Sequence, residues 1–415
     1  MAMQTKSETA AWLRLQLTPG IGNASMRRLL AAFSLPQNIF QQDYAALNQI
    51  VSSKQAQALL REPENYQENL AQLALWLGQV GQTLICVGDA RYPQSLLLSP
   101  DPPLLLYVQC ADPSWWENWA NQAQAPLLGM IGSRNPTPQG LRVAKDWSQD
   151  ITQRGYSIVS GLALGVDAAA HQGALLAPHW QRGRSIAVVG TGLDLVYPKQ
   201  HAALAQNILD AGGAIISEYP LGTPAMAANF PKRNRIIAGL GLGVLVVEAA
   251  LQSGSLITAR LAMEANREVF ALPGSIYAPQ YKGCHALIKQ GAQLVEAPED
   301  ILQALPNRLD LKDLVAIKGI ATQADFPTKN TENTLKNTSG LLNQALQGSL
   351  TNSVDGINAE TEAVLLLAMG FDPIHPDLLL VNSHWSAAQL QIMLFNLECS
   401  GRAQRLDGGY YQRLV

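Results

Sequence analysis

Short apolar runs alternate with segments of helical period through the middle of the chain. Leu127–Ile131, Tyr156–Val159, Ser185–Val189, Ala214–Ser217, Val244–Val247, Val269–Leu272 and Gln293–Val295 read as short buried strands. Between the first two, Leu141, Ala144, Trp147 and Ile151 mark one helix face. Thr137 supplies its N-cap, Pro138 suits its first position and Gly155 ends it. Further helices are expected after Ser160-Gly161, over Ala202–Leu209, over Ser255–Asn266 and over Ala286–Gln290. Strands and helices alternating at these lengths predict an α/β domain with a parallel, doubly wound sheet. In such a sheet, ligands bind outside the carboxyl ends of the strands.

The flanks carry other patterns. Residues 8–80 read as helical, with Trp12, Leu13, Leu15, Leu29, Leu30 and Phe33 at three- to four-residue spacing. Pro19-Gly20-Ile21-Gly22 interrupts them. It reads either as a helix-hairpin-helix turn holding a DNA phosphate, aided by Arg27 and Arg28, or as a plain turn punctuated by glycine. Residues 81–125 form a transition, with two short strands around Tyr92-Pro93; the Trp-rich run 114–122 reads as packing of a connector. Residues 307–356, rich in Asn, Thr, Gln, Ser and Gly, read as a flexible linker. A compact helical pattern then resumes at 359, a second helix covers 385–401, and a hairpin turns at Asp407-Gly408-Gly409. The expected layout is a helical accessory domain (1–80), a core (81–306), a linker (307–356) and a winged-helix-like domain (357–415). The last domain carries one charge, Glu398, before Arg402 on its second helix, which favours contact with protein over reading of bases.

Charge changes the picture only locally. The 415 residues carry a net charge of −3, which excludes a generally basic nucleic-acid binder. Residues 126–296 nevertheless hold 14 Lys/Arg against 10 Asp/Glu. Four cysteines lie far apart without ligand spacing, so neither zinc nor a disulfide framework is expected. No basic segment with a long apolar run opens the chain, and no apolar stretch approaches ~20 residues. No membrane partner is expected, and the cytoplasm is the expected compartment.

Candidate chemistry centres on phosphate. Lys232, Arg233 and Arg235 fall within four residues, with Asn234 among them and Asn229 and Phe230 before them. Cations neutralise a phosphate backbone, and an aromatic stacks on an unpaired base. Gly132-Ser133-Arg134, Ser160-Gly161 and Ser253-Gly254-Ser255 add backbone and hydroxyl donors after strands. Gly190-Thr191-Gly192 lacks the third glycine of a dinucleotide fingerprint, and the P-loop, nucleophile-elbow and zinc-protease motifs are absent. No cofactor is expected. Asp167 and His171 stand four apart, as an acid/base pair or a structural hydrogen bond at a helix start. Glu248 closes a strand and is a candidate carboxylate, but no partner carboxylate stands nearby in sequence.

Together the segments GSRNPTPQG, SGLALGVDAAAHQGAL, GTGLDLVYP, FPKRNRIIAGL, VVEAALQSGSLITARLA and REVFALPGS resemble, in order, the DNA-processing protein A (DprA/Smf) family over about residues 83–305. The resemblance implies an extended Rossmann-like domain between an N-terminal helical (helix-hairpin-helix or SAM-like) domain and a C-terminal winged-helix-like domain. It implies binding of single-stranded DNA without strong sequence preference, loading of a RecA-type recombinase during natural transformation, and a homodimer without enzymatic activity. On the motif match, Ser133 and Arg134 would contact phosphate, Lys232, Arg233 and Arg235 would form a basic wall, and Phe230 would stack on a base. Ser160, Gly161, Gly165 and Asp167 would shape the pocket, and Gly190, Gly192, Asn229, Asn234, Ser253, Gly254 and Ser255 are further candidate DNA-binding residues. The sequence departs from the family pattern at Lys199-Gln200-His201, after Tyr197-Pro198, and at Gly283-Cys284-His285-Ala286. The alternative from the same fold superfamily is a nucleoside monophosphate phosphoribohydrolase, with Glu248 as its carboxylate.

Overall fold

The computed structural model describes residues 6–112, 116, 126–177 and 184–305, with scattered positions between 365 and 413. The expected linker, the hairpin turn at 407–409 and most of the Trp-rich run lie outside the described residues. The described residues up to 305 form one compact unit and those from 365 onward a second.

In the first unit, nine described strands form one sheet. They are β1 (Gln82–Cys86), β2 (Leu105–Cys110), β3 (Leu127–Ile131), β4 (Ser157–Ser160), β5 (Ser185–Val189), β6 (Ala214–Ser217), β7 (Gly243–Val246), β8 (Glu268–Ala271) and β9 (Gln293–Leu294). Their order is β1-β2-β6-β5-β4-β3-β7-β8-β9. The chain therefore starts its parallel part at β3, winds outward through β4 to β6, then returns to the other side of β3 for β7 to β9. This reversal beside β3 opens a crevice at the carboxyl ends of β3 and β7. β1 and β2, the two short strands expected in the transition, extend the sheet with β2 antiparallel to both neighbours, so the sheet is mixed.

Side-chain alternation explains how the sheet is covered. β3 is buried at all five positions, the continuous apolar run of a strand covered on both faces. Its Leu128 and Met130 pack with Ala144 and Ile151 of α8 (Pro138–Gln153) and with Ala169 and Ala170 of α9 (Val166–Leu175). Its Leu127 and Ile131 face the opposite layer. There, α11 (Asn229–Leu240), α12 (Gly254–Glu264) and α13 (Lys282–Lys289) contribute Ile236, Ile237, Ala259, Ala262 and Leu287. The helix α10 (Ala202–Asp210) covers Ala187 and Val189 of β5 through Leu204 and Ile208. Trp116 joins the α11 layer, 2% exposed, in keeping with the packing reading of its segment.

The helices α1 (Lys6–Leu17) to α6 (Tyr66–Leu77) share a core with one face of β1 and β2, where Trp12, Leu15, Leu29 and Trp76 meet Leu84, Leu105 and Tyr107. Alternate residues Ile85, Leu106 and Val108 point to the main core. The candidate hairpin turn is engaged within this unit: Gln55 donates to the Gly20 carbonyl at 2.8 Å, and Asn23 donates to the Glu218 carboxylate at 2.9 Å. Arg27 is ion-paired with Asp101. No described helix is long and apolar enough to cross a membrane.

The second unit has a small apolar core of Leu365, Met369, Leu379, Leu390, Met393, Leu394 and Leu397. β10 (Ala403–Arg405) pairs antiparallel with β11 (Tyr411–Arg413), and Ile374 bridges Tyr411. Helical positions followed by a two-stranded ribbon agree with the expected winged helix.

Candidate nucleic-acid interface

The crevice beside β3 has a volume of about 390 Å³. Its rim is the turn Gly132-Ser133-Arg134, tied down on both sides. The Ser133 carbonyl accepts from the Val166 amide at 3.1 Å, and the Gly132 carbonyl accepts from the Ser255 hydroxyl at 2.8 Å. Gly165 permits this close approach. Its φ is +78°, and a Cβ there would lie 2.7 Å from the Arg134 carbonyl oxygen. Ser253 caps α12 by accepting from the Ser255 amide at 3.2 Å, so the hydroxyls of this segment already serve the loop.

The floor is polar and buried. The Asp167 carboxylate accepts from the Gly161 amide at 3.1 Å and the Ala163 amide at 3.4 Å. Arg233 is 3% exposed and donates to the Val188 carbonyl. Gly161 lies between the two charges: a Cβ there would collide with the Arg233 guanidinium and the Asp167 carboxylate. Burial pushes the Asp167 carboxyl above the usual carboxylate range, against the pull of Arg233 and its N–H donors. Burial also lowers the Arg233 pKa, with Asp167 opposing.

His171 resolves its two sequence readings toward structure. It accepts from the Leu162 amide at Nε2, 3.3 Å away, so Nδ1 carries the proton toward the Ser185 hydroxyl at 2.7 Å. Burial, followed by Arg233 and His201, pulls its pKa down to about 3. A neutral, fully enclosed imidazole holds the β4 turn, where Leu162 takes φ +56°. At the position where the sequence departs from the family pattern, His201 donates from Nδ1 to the Leu162 carbonyl at 2.8 Å. The second departure, His285, is bonded to the Gly274 carbonyl at 3.0 Å.

The expected basic wall is corrected. Lys232, Arg233 and Arg235 lie on α11, where successive residues turn by ~100°, so neighbours in sequence diverge in space. Lys232 is exposed, Arg233 is in the floor, and Arg235 turns away to pair with Glu218 and Asp101. Several candidate DNA contacts are likewise supporting groups, because their polar atoms are enclosed. The Ser160 hydroxyl donates to the Met130 carbonyl at 2.6 Å, and Asn229 donates to the Gly190 carbonyl at 3.0 Å. Gly190 and Gly192 are buried. Asn234, Ser253 and Gly254 do line the crevice, as do Asp167 and Arg233.

Arg134 at the crevice and Lys232 on its helix are exposed cations without an ion-pair partner among the described residues. The Arg134 Cζ lies 5.6 Å from the Phe230 ring centroid, in cation–π range. Phe230 is half-buried, and the Tyr197 ring lies 5.6 Å from it, tilted by 39°. Tyr197 is not among the residues the motifs mark as candidate contacts, although it lies within one of those motifs. Ala163, Ile237 and Thr258 also line the crevice and carry no sequence signal that separates them from core positions.

Glu248 lies outside the crevice lining and is fully buried. It accepts from the Thr137 amide at 2.9 Å, from the Thr137 hydroxyl and from the Tyr281 hydroxyl at 2.9 Å. A carboxylate at the start of α8 also complements the helix dipole. Its acceptor sites serve the fold, which disfavours the hydrolase alternative.

Comparison with known proteins agrees with this architecture. The family model for DNA recombination-mediator protein A matches residues 83–306, and that for the DprA winged helix domain matches residues 355–409. Protein Smf of Escherichia coli is 42% identical over 299 residues, covering 72% of this chain and 75% of that protein. DNA processing protein DprA of Bacillus subtilis is 36% identical over 253 residues, 61% of this chain and 81% of that protein. The X-ray structure of DNA processing protein A from Streptococcus pneumoniae superposes with a TM-score of 0.60 at 33% identity, covering 74% of this chain and all of that one. With a matching model over more than half its length and relatives of this similarity, the chain belongs to the DNA recombination-mediator protein A (DprA/Smf) family.

Proposed function

We propose that the crevice beside β3 binds single-stranded DNA without strong sequence preference, and that the protein passes this DNA to a RecA-type recombinase. The observation that carries the reading is a set at and beside the crevice: Arg134 over the Phe230 ring in the lining, Tyr197 against Phe230, and Lys232 exposed on the same helix, neither cation having an ion-pair partner among the described residues. Cations that track the backbone, with aromatics that accept any base, are what sequence-tolerant single-strand binding requires. Duplex is disfavoured, because its bases are stacked internally and cannot reach an aromatic face. Family membership supports the mediator role. Action during natural transformation, in the cytoplasm and as a homodimer, belongs to the same proposal. The enclosed Glu248 gives no support to hydrolysis of nucleotides.

The test is fluorescence anisotropy with labelled oligo-dT and a matched duplex across a salt series. Tight single-strand binding, weak duplex binding and a slope of several ions are expected. Equal affinity for both, or no binding at low salt, overturns the reading. Loading is then tested by whether the protein speeds recombinase filament formation on single strands coated with a single-strand-binding protein.

A further inference from the structure

Phe230 is the aromatic residue that the sequence marks for base stacking, yet little of it is open. It is half-buried, has Arg134 over its ring and has Tyr197 5.6 Å away. Tyr197, by contrast, is 49% exposed. Phe230 lines the crevice, and Tyr197, outside that lining, carries the aromatic surface outward from it. A single exposed tyrosine is ordinary on a protein surface. This one is distinguished by its ring contact and by the hydrogen bonds that fix its loop.

The segment between β5 and α10 is pinned along its length. Leu195 donates from its amide to the Gly192 carbonyl at 3.2 Å, and the Thr191 hydroxyl donates to the Leu195 carbonyl at 3.2 Å. Asp194 accepts from the Gly222 amide at 2.8 Å, and His201 anchors the far end on the Leu162 carbonyl. A ring held this way loses little freedom when a base settles on it, which favours affinity. Lys199, two residues on, is exposed and has no ion-pair partner among the described residues. A cation beside an outward aromatic face matches the chemistry of a nucleotide: phosphate to the amine, base to the ring.

We propose that Tyr197, beside this crevice, presents the outer base-stacking face to an unpaired nucleobase, with Phe230 as its backing and Lys199 beside the adjoining phosphate. This assignment rests on the single-strand reading above and names the residue that receives the base. Because stacking strengthens with the size of the base, it also gives a modest preference for purine at one position of the bound strand.

The test uses the full chain and oligo-dT carrying one 2-aminopurine, moved through successive positions, with anisotropy and 2-aminopurine quenching as readouts. Tyr197→Leu keeps an apolar side chain but removes the π face. It is expected to weaken binding about 5- to 100-fold, to abolish quenching at the preferred position and to leave the salt slope unchanged. Tyr197→Phe is expected within about twofold of the parent, and Tyr197→Trp equal or tighter, which excludes a folding defect as the cause. If Tyr197→Leu binds and quenches like the parent while Phe230→Leu loses both, the base sits on Phe230 and the proposal falls. If Arg134→Ala and Lys232→Ala weaken binding but no Tyr197 variant does, the crevice reading stands and the Tyr197 assignment is wrong. If the unaltered protein binds no single strand, the functional reading fails and this one with it.

Discussion

Replacing Arg233 by Met tests whether the crevice floor is a buried charge pair that holds the site rather than a phosphate contact. Arg233 is 3% exposed, and Asp167 depends on its charge. Removing one partner of such a pair costs about 3–5 kcal/mol, because the other charge stays buried. The lower end applies here, since Arg233 acts on Asp167 through space rather than by a direct ion pair, and Asp167 keeps the Gly161 and Ala163 amides. For a unit of this size about 3 kcal/mol lowers Tm by roughly 6 °C. The pH dependence sharpens the test. Asp167 has a folded pKa raised above its unfolded value, so its contribution favours the fold at low pH and is lost as pH rises through the folded value. Without Arg233 that pKa rises further, and the deficit is largest near neutrality. His171 is depressed to about 3 from 6.5, so the stability tied to its neutral form is lost as pH falls from about 6.5 toward 3. Arg233 is one cause of that depression, so its removal also shrinks the deficit in acid. Thermal melts of parent and R233M from pH 8 to 5 should therefore converge, and Asp167→Asn should restore much of the loss in the double variant. A gap that widens in acid, or strictly additive losses, would refute the buried-pair account.

Other expectations follow from the same geometry. Arg134→Ala and Lys232→Ala should each reduce the salt slope of oligo-dT binding by about 0.7; Arg235→Ala should lower stability and leave the slope unchanged, because its guanidinium faces Glu218 and Asp101. Gly165→Ala should destabilise by about 1–3 kcal/mol in denaturant titration, since it forces a side chain into φ +78° against the Arg134 carbonyl. Glu248→Gln should cost about 1–3 kcal/mol of stability while single-strand affinity per folded molecule holds. An affinity loss without a stability loss would place Glu248 in the binding site instead. Deleting residues 357–415 should leave most single-strand binding intact, and collapse of binding would make the tail a DNA-contacting module.

Local pattern along the chain accounts for the strands and the order of the motifs. Leu127–Ile131 is legible because a strand covered on both faces is apolar at every position, and Thr137-Pro138 marks a helix start through local hydrogen bonding alone. The crevice was legible too, since glycine-rich turns after strands fall at carboxyl ends wherever the sheet is wound from its centre. Which polar groups remain open to a ligand follows from packing between distant segments. Lys232, Arg233 and Arg235 are equivalent as letters, but α11 sends them to solvent, to the floor and to Glu218. Glu248 resembles a catalytic carboxylate until Thr137 and Tyr281, 111 and 33 residues away, are seen to occupy it. Tyr197 acquires its place from Phe230, across a loop and a helix that no local pattern joins. Secondary structure follows from interactions a few residues long, whereas the exposure and pairing of a side chain depend on whatever distant segment folds against it.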